Sequence, residues 1–497
     1  MSRDRRLPIR TKLAFASGSL EEAMLGAAGI ATMIFYNQVL GVSAALCGTA
    51  FLIASIVDAV SDPLVGALSD SVRTRWGRRH PLMALSALPL ALCFYLMYQP
   101  PSGLSELQLF WWFTATMVGV RLAKTFYAIP HNALGAELTD DYNERTSIFG
   151  WNYIVGMLGG IALSVFVLYV VFPSTPEYAN GLLNPDGYAF LATFGGIFAF
   201  LTILGCTLLT ADQIPYLHRQ AERVANLPRR YAQAAREALR SARVLIVNRS
   251  YLAVCLSWLI LAISGGVIGV VSTYAFIYAF EFSTEQIAIR SFVTLPGAFL
   301  AISLSAWLTR LLDKKKTVVL AILVTTFLIG LPFTLRLLGW LPENGTIALL
   351  VAFFGIWTLG FITLPIVPIV IDSQLVDIAD EHELATGNRA EGLIFSVRTF
   401  AIKMTSGLGG LLGGFGLEVI GFPKDASIEP PSPEVIDALL FMHGPLYYII
   451  VYSGLAFALM YRIDRRRHAE ILAALQQRRA DAAAQAAAMQ RAVGGSS

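Results

Sequence analysis

The segment FLIASIVDAVSDPLVGALSDSVRTRWGRRHP, residues 51–81, joins a long apolar run to a strongly basic end. Its first twenty residues are long enough to cross a lipid bilayer as a helix, since about 20 apolar residues do so. Asp58 and Asp62 are four positions apart, so a helix places both carboxylates on one face. The run is followed by four arginines, and an excess of Lys and Arg is typical of cytoplasmic loops. The segment therefore predicts a membrane-spanning helix whose end, at Asp70, faces the cytoplasm.

The composition of the whole chain agrees with a membrane protein. Of its 497 residues, 56% are apolar and 14% are charged, whereas soluble domains have roughly 45–50% and about 25%. The chain has too little charge to cover a soluble globule, and its long apolar runs exclude disorder. The net charge of +3 gives no reason to expect a nucleic-acid partner. The four cysteines lie in apolar runs without paired spacing, which predicts neither a disulfide framework nor a structural metal site.

Apolar windows of spanning length fall into two groups of six, on either side of a polar stretch. They cover 12–40, 43–71, 81–99, 107–137, 146–172, 188–211, 250–280, 286–311, 316–338, 346–377, 391–421 and 439–463. The sequence thus predicts an all-α polytopic membrane protein with twelve transmembrane helices in two six-helix halves. The predicted units are an N-terminal half at 1–211, a linker at 212–249, a C-terminal half at 250–463 and a tail at 464–497.

The distribution of basic residues predicts the orientation of these helices. One alternating set of loops carries the clusters at 73–79 and 310–316 and the eight arginines of 212–249, whereas the loops 100–106 and 173–187 contain no Lys or Arg. The positive-inside rule then places both termini in the cytoplasm. The linker is expected to be a basic amphipathic helix anchored electrostatically to anionic headgroups, with calmodulin-like or lipid-specific binding as alternatives. The tail is expected to be a solvated helix.

Charged residues within the predicted spans indicate a path for an ion or a substrate, because they are costly in lipid. Two carboxylates one helical turn apart cannot both stay ionised in a low dielectric without a cation or a shared proton. Asp58 and Asp62 are therefore candidates for binding Na⁺ or H⁺. Lys124 and Lys403 reach a similar depth, so all four groups are expected to converge on one cavity, which one residue of the Glu21–Glu22 pair could join. A purely structural lattice of ion pairs is the alternative.

Three stretches resemble one known family. They are Asp58 to Pro81, quoted above, IPHNALGAELTDDYNERT at 129–146, and DSQLVDIADEHELATGNRAEG at 372–392. Together they are similar to the glycoside–pentoside–hexuronide:cation symporter family, the melibiose-permease-like branch of the major facilitator superfamily. The resemblance implies the major facilitator fold, alternating access by rocking of two halves, and a monomer in the bacterial inner membrane. It implies no cofactor and no enzymatic activity.

The cation site of this family matches four positions of the chain. Asp58, Ser61, Asp62 and Thr125 correspond to its oxygen donors, and Lys403 corresponds to its functionally important lysine. The sugar site is not matched: the two aspartates that bind sugar hydroxyls in the family are replaced by alanines, Ala23 and Ala128. Galactoside is therefore not the expected substrate.

The remaining charged residues suggest roles in substrate binding and gating. Glu22, Lys124 and Lys403 are expected to contact the substrate. Asp70, with Arg78 and Arg79, is expected to hold the cytoplasmic ends of the two halves together in the outward-facing state. Lys124 also favours H⁺ over Na⁺ as coupling ion, because an ammonium close to Asp58 or Asp62 would compete with Na⁺. Lys124 and Thr125 point about 100° apart, so the alternative is that Lys124 faces the substrate cavity and binds an anionic group together with Lys403.

These features predict a transporter that couples a cation to a small polar solute such as a glycoside or uronate. A transporter of a lysolipid-like amphiphile is the alternative, since alanines make the substrate cavity more apolar. A membrane sensor or scaffold would have no use for charges at the midplane. No nucleophile–base motif, phosphate loop or metal spacing supports an enzyme. The partners expected are a small-molecule substrate and the bilayer.

Overall fold

A computed structural model describes residues 6–217, 245, 247–387, 391–426 and 429–494. These residues form helices and connecting turns, and within those ranges the only β-type pairing is an isolated bridge between Thr74 and Gly77. The prediction of an all-α protein is confirmed. The helix predicted for the basic linker lies mostly outside the described residues, because 218–244 are not among them.

The helices of the first half follow the predicted order. They are α1 (Ile9–Ala16), α2 (Ser19–Ile34), α3 (Ala44–Ser71), α4 (His80–Tyr98), α5 (Glu106–Glu137), α6 (Tyr142–Phe166) and α7 (Asp186–Leu209). The expected first span is divided between α1 and α2 at Gly18. A Cβ at Gly18 would lie 2.1 Å from the hydroxyl of Tyr127 and 2.6 Å from Nε2 of His131, so glycine at this break allows α5 to approach closely.

The second half contains more interruptions than predicted. Its helices are α8 (Arg249–Tyr274), α9 (Thr284–Ala288), α10 (Arg290–Val293), α11 (Leu295–Leu312), α12 (Lys314–Leu337), α13 (Ile347–Thr363), α14 (Ile366–Thr386), α15 (Glu391–Val419), α16 (Pro433–Phe441) and α17 (Tyr447–Ala458). The window 346–377 is broken between α13 and α14 at Pro365, because proline has no N–H to continue the helical ladder. The window 286–311 is likewise broken into α9, α10 and α11.

Nine helical stretches of the described residues are long and apolar enough to cross a membrane. Helices α2, α5 and α15 are not among them. These are the helices that contain Glu22, Lys124 and Lys403, respectively. Ionisable residues inside a segment lower its hydropathy, although α3, which carries Asp58 and Asp62, remains among the nine.

The two halves meet where α15 packs along both α3 and α8. Glycines on α15 and α8 allow this contact. A Cβ at Gly414 would lie 2.1 Å from the carbonyl oxygen of Ala44 on α3, and a Cβ at Gly266 would lie 1.9 Å from that of Thr405. Small residues of this kind let helix backbones approach closely in membrane proteins. The same packing brings Lys403, on α15, against α3.

A backbone motif is repeated at corresponding places in the two halves. A π-helical turn follows α2 at Phe35–Val39, and another follows α8 at Ala275–Ala279. After both turns, the backbone N–H of the next residue donates to the first carbonyl of the turn at 2.9 Å, and the N–H two residues later donates to the second carbonyl at 2.8 Å. The residue between these two donors has a positive φ, 73° at Gly41 and 52° at Glu281. The two halves therefore share local geometry that their sequences do not show.

The C-terminal segment forms helix α18 (Arg465–Gly494), which packs against α14. Ile471 and Leu475, one turn apart, are buried, and Arg479 forms an ion pair of 2.8 Å with Glu383. The expectation of a fully solvated tail is therefore wrong for this part, because one apolar face of the helix is covered.

Candidate functional site

Two carboxylates of α3 and a hydroxyl of α5 form the centre of the candidate site. The hydroxyl of Thr125 lies 3.1 Å from Oδ1 of Asp58 and 3.0 Å from Oδ1 of Asp62, so it can donate to either. The four-residue spacing on α3 directs both carboxylates to the same side, as predicted. The result is a cluster of three oxygen atoms inside the helical bundle.

Lys403 of α15 completes this cluster from the other half of the molecule. Its ammonium contacts Oδ2 of Asp62 and lies 3.5 Å from Oδ2 of Asp58. It also donates to the backbone carbonyl of Asp58 at 3.3 Å. The side chains of Lys403 and Asp58 are only 17% and 14% exposed, so water screens this ion pair weakly. The pair links the two halves through charge.

Arg121 extends the cluster, and sequence reasoning missed it. Its guanidinium lies 4.0 Å from Oδ2 of Asp58 and donates to the hydroxyl of Ser406 on α15 at 3.3 Å. Ser406 in turn lies 3.3 Å from the hydroxyl of Ser55 on α3. The signal available in the sequence was the spacing of Arg121, one helical turn before Thr125 and within an apolar run.

Lys124 does not share the ion pairs of the aspartates. Its ammonium lies 2.7 Å from Oε1 of Glu22 on α2. The prediction that Lys124 is the ammonium close to Asp58 or Asp62 is wrong, because adjacent residues of a helix point about 100° apart; Lys403 occupies that position instead. The charges of Glu22 and Lys124 balance each other in an ion pair separate from the aspartates.

Glu21 and Ser61 lie beside the ion pairs of the site. Glu21 is 1% exposed, and its Oε1 has no hydrogen-bond partner. The hydroxyl of Ser61 donates to the carbonyl of Asp58, one turn back on the same helix, at 3.2 Å. Ser61 therefore lies beside the cluster, with its hydroxyl engaged by the backbone.

The predicted gating residues form a compact group at the end of α3. Arg79 lies 2.7 Å from Asp70 and 2.8 Å from Glu137, and Arg78 lies 2.8 Å from Glu137. Arg79 also donates to the hydroxyl of Ser69 at 2.6 Å. All of these contacts lie within the first half. Whether they hold the two halves together in another conformation stays a prediction.

At the opposite end of the bundle, polar contacts join the two halves. The hydroxyl of Tyr274 donates to Oδ1 of Asn37 at 2.7 Å, and the hydroxyl of Ser43 donates to Oε2 of Glu418 at 2.8 Å. Further contacts connect Ser174 with Glu285, Asn180 with the carbonyl of Phe282, and Lys424 with Glu106. This end of the molecule is closed in the present conformation.

A cavity of about 660 Å³ lies between the halves, beside the charged cluster. Helices α2, α3, α6, α8 and α15 contribute to its wall, and Ser406 belongs both to this wall and to the Arg121 network. Ala23, which the sequence resemblance aligns with a sugar-binding aspartate, lines the cavity. Glu22, Lys124 and Lys403 are not among the described lining residues. The wall is mostly apolar.

Glycine widens this cavity from several sides. Five of its lining residues are glycines whose added Cβ would meet no atom within 4 Å, namely Gly26, Gly29, Gly160, Gly265 and Gly269. A flat ring could therefore lie directly against the helix backbones. The volume is within the roughly 300–1,000 Å³ range that is usual for small-molecule sites.

Residues 14–465 match the protein family described as MFS/sugar transport protein. The chain belongs to this family. It is 26% identical to the isoprimeverose transporter of Lactiplantibacillus pentosus, with 90% of this chain and 87% of the relative covered. It is 24% identical to the putative glycoside/cation symporter YagG of Escherichia coli (strain K12), with 87% of each covered.

A solved D-xylose-proton symporter has the same fold, with a TM-score of 0.57 at 15% identity, covering 91% of this chain and 97% of that one. The predicted family and the absence of enzymatic function are confirmed, because the MFS/sugar transport family consists of transporters. The chain is a membrane transporter.

Proposed function

We propose that this transporter couples a cation, H⁺ or Na⁺, to the movement of a small polar solute such as a glycoside or uronate. The contact of Lys403 with both Asp58 and Asp62 carries the proposal. A cation and a lysine that use the same two carboxylates exclude each other by charge. Because the lysine belongs to the other half, relative movement of the halves would decide which of the two is bound.

The oxygen atoms of the cluster suit either ion. Carboxylate and hydroxyl oxygens are hard ligands of the kind that small hard cations prefer, and Asp58, Asp62 and Thr125 supply them. A proton on either aspartate would serve equally, since one charge would then be removed from the pair. Lys403 is the ammonium beside the aspartates that the sequence analysis had expected Lys124 to be. Its displacement from the carboxylates could accompany binding of H⁺ or of Na⁺ equally well.

The proposed membrane arrangement is twelve spans in two halves with both termini in the cytoplasm of a bacterial cell. The nine apolar helical stretches, together with α2, α5 and α15, supply these spans. The repeated π-helical turns after α2 and α8 support two equivalent halves. With the end at Asp70 cytoplasmic, the closed end joined by Tyr274 and Asn37 faces outward. The present conformation is then inward-facing, and the ammonium of Lys403 occupies the place on the carboxylates from which the cation has been released.

Coupling then follows from charge balance between the two states. In the inward-facing state, the carboxylates are neutralised by Lys403 and Arg121, so the cation is not needed. Opening to the outside separates α15 from α3 and withdraws Lys403. The carboxylates then need another positive charge, since unpaired ions in a low dielectric are unstable. Ser406 connects this cluster to the wall of the solute cavity.

An amphiphile of the lysolipid type is the second candidate substrate, and the mostly apolar wall of the cavity favours it. Uptake into proteoliposomes decides both questions. Sugars, uronates and lysolipids are offered under an inward Na⁺ gradient or an inward H⁺ gradient, at zero membrane potential. We expect accumulation of a glycoside or uronate above equilibrium with one of the two gradients. Accumulation that no ion gradient affects would contradict the proposed coupling.

The variant Lys403→Gln tests the mechanism in the same assay. Without the ammonium, the cation should stay on the carboxylates in both states, so net uptake should fall at least tenfold while cation binding is retained or tighter. The control is Lys315→Gln, because Lys315 donates to the carbonyl of Leu459 at the helix end, far along the chain from the charged cluster. Unchanged net uptake in Lys403→Gln would contradict the displacement mechanism.

A further inference from the structure

Arg290 stands apart from the other cations of the bundle interior. It begins the short helix α10, which packs beside α6, and it lines the cavity. Lys124, Lys403 and Arg121 each have a carboxylate within 4.0 Å. Within the described part of the chain, Arg290 forms no ion pair and no hydrogen bond, and it is the single charged residue of the cavity wall.

A guanidinium in this position needs a counter-charge. Arginine stays protonated inside proteins, and a charge removed from water without a partner is costly. Ionisable residues inside a membrane bundle usually face a cavity that serves a substrate. Since the wall supplies no described carboxylate, the missing negative charge can come from the solute that enters the cavity.

Building on the transport function proposed above, we propose that Arg290 binds the carboxylate of an anionic solute. The substrate class is then a carboxylated glycoside of one or two rings, in preference to its neutral analogue. The planar fork of a guanidinium matches a carboxylate with two parallel hydrogen bonds. Ser291 and Thr294 line the cavity next to Arg290 and offer hydroxyls for further solute oxygens.

The rest of the cavity fits such a solute. The open glycine positions, such as Gly160 on α6 and Gly269 on α8, leave room for the face of a ring. The ion pair of Lys124 with Glu22 lies outside the described lining, so it adds no net charge that would compete with Arg290. One positive charge in a mostly apolar wall favours a solute that carries a single negative charge.

The test compares two probes that differ at one group, phenyl β-D-glucuronide and phenyl β-D-glucoside. Binding to the purified full-length protein is measured by isothermal titration calorimetry. We expect the glucuronide to bind at least tenfold more tightly, because hydrogen bonds to a charged group are stronger than those between neutral groups. Arg290→Gln should remove this preference, and Arg290→Lys should restore part of it. Elution as a single folded species in size-exclusion chromatography is the check on each variant.

Equal affinity of the wild-type protein for both probes, or no binding of the glucuronide, would overturn the proposal. So would a preference that survives in Arg290→Gln. These results are separate from failure of the transport function. If the glucoside is taken up under an ion gradient and Arg290→Gln changes nothing, coupling stands and the role of Arg290 falls. If the glucuronide binds through Arg290 but no gradient drives its uptake, the role of Arg290 stands and coupling falls.

Discussion

The ammonium of Lys403 on α15 contacts the carboxylate of Asp62 on α3, and so joins the two halves of the transporter by an ion pair. A contact of this kind between halves is made or broken whenever the halves move relative to each other. It is therefore suited to link ion binding to the direction in which the cavity opens. Asp58, 3.5 Å from the same ammonium, shares this role.

Asp62→Asn should abolish accumulation of solute against its gradient while exchange of solute persists. The substitution removes one of the two carboxylates that the cation and Lys403 share, so the site should no longer hold the coupling cation. The fold should be retained, because Lys403 keeps its contact with Asp58. Counterflow and gradient-driven uptake in proteoliposomes measure the two activities separately. The control is Asp186→Asn at the exposed start of α7; concentrative uptake by Asp62→Asn at the control level would rule out the coupling role.

The convergence of Asp58, Asp62 and Lys403 was predictable because each is a charge within an apolar run, and such charges must find partners. Thr125 was also predictable, through the family resemblance. The partner of Lys124 was not predictable, since the rotation of α5 decides whether Lys124 faces Glu22 on α2 or the two aspartates on α3. Arg121 lies in the same predicted window as Lys124 and Thr125, but a charge count alone does not show which of the three faces α3.

The order of helices was predictable from the apolar windows, whereas their interruptions were not. Pro365 breaks a window that composition alone presents as continuous. The cavity wall depends on which faces of α2, α6 and α8 meet, a property of packing between distant segments. Arg290 was visible as a charge within the window 286–311, but only the structure places it in the cavity wall, where none of the described residues supplies it with a carboxylate.

Gly414→Val should shift the transporter toward the outward-facing state. A Cβ at this position would lie 2.1 Å from the carbonyl oxygen of Ala44, so α15 and α3 must separate at the closed end. The population is measured by labelling of a cysteine introduced at Ile30, in the cavity wall, with an impermeant thiol reagent added from outside. We expect labelling to increase severalfold above the background of the parent protein. Gly355→Val is the control, because its Cβ would meet no atom within 4 Å; equal labelling in both variants would show that close packing at Gly414 does not hold this end closed.

Asp70→Asn should shift the population in the opposite direction, toward the inward-facing state. In the present conformation the variant loses little, because Asp70 is 59% exposed and Arg79 keeps its contact with Glu137; exposed ion pairs contribute only about 0–1 kcal/mol. A contact with the other half in the outward-facing state would be lost entirely. Greater thiol accessibility from the cytoplasmic side measures the shift. Glu137→Gln is the contrasting variant, since it leaves Arg79 without its buried partner and should lower thermal stability instead. Unchanged accessibility in Asp70→Asn would count against its gating role.

Gly160→Leu should abolish solute binding without lowering thermal stability. Gly160 lines the cavity, and its added Cβ would meet no atom within 4 Å, so the leucine side chain fills the space of the solute instead of displacing a helix. Gly205→Leu is the matched control: its Cβ position is equally open, but it does not belong to the described wall.

Lys124→Ala should weaken binding much less than Gly160→Leu, because Lys124 is paired with Glu22 outside that wall. Titration calorimetry with the phenyl glycosides gives the affinities, and thermal unfolding gives the stabilities. Loss of binding in Lys124→Ala with normal binding in Gly160→Leu would move the solute site from the cavity to the Glu22–Lys124 pair.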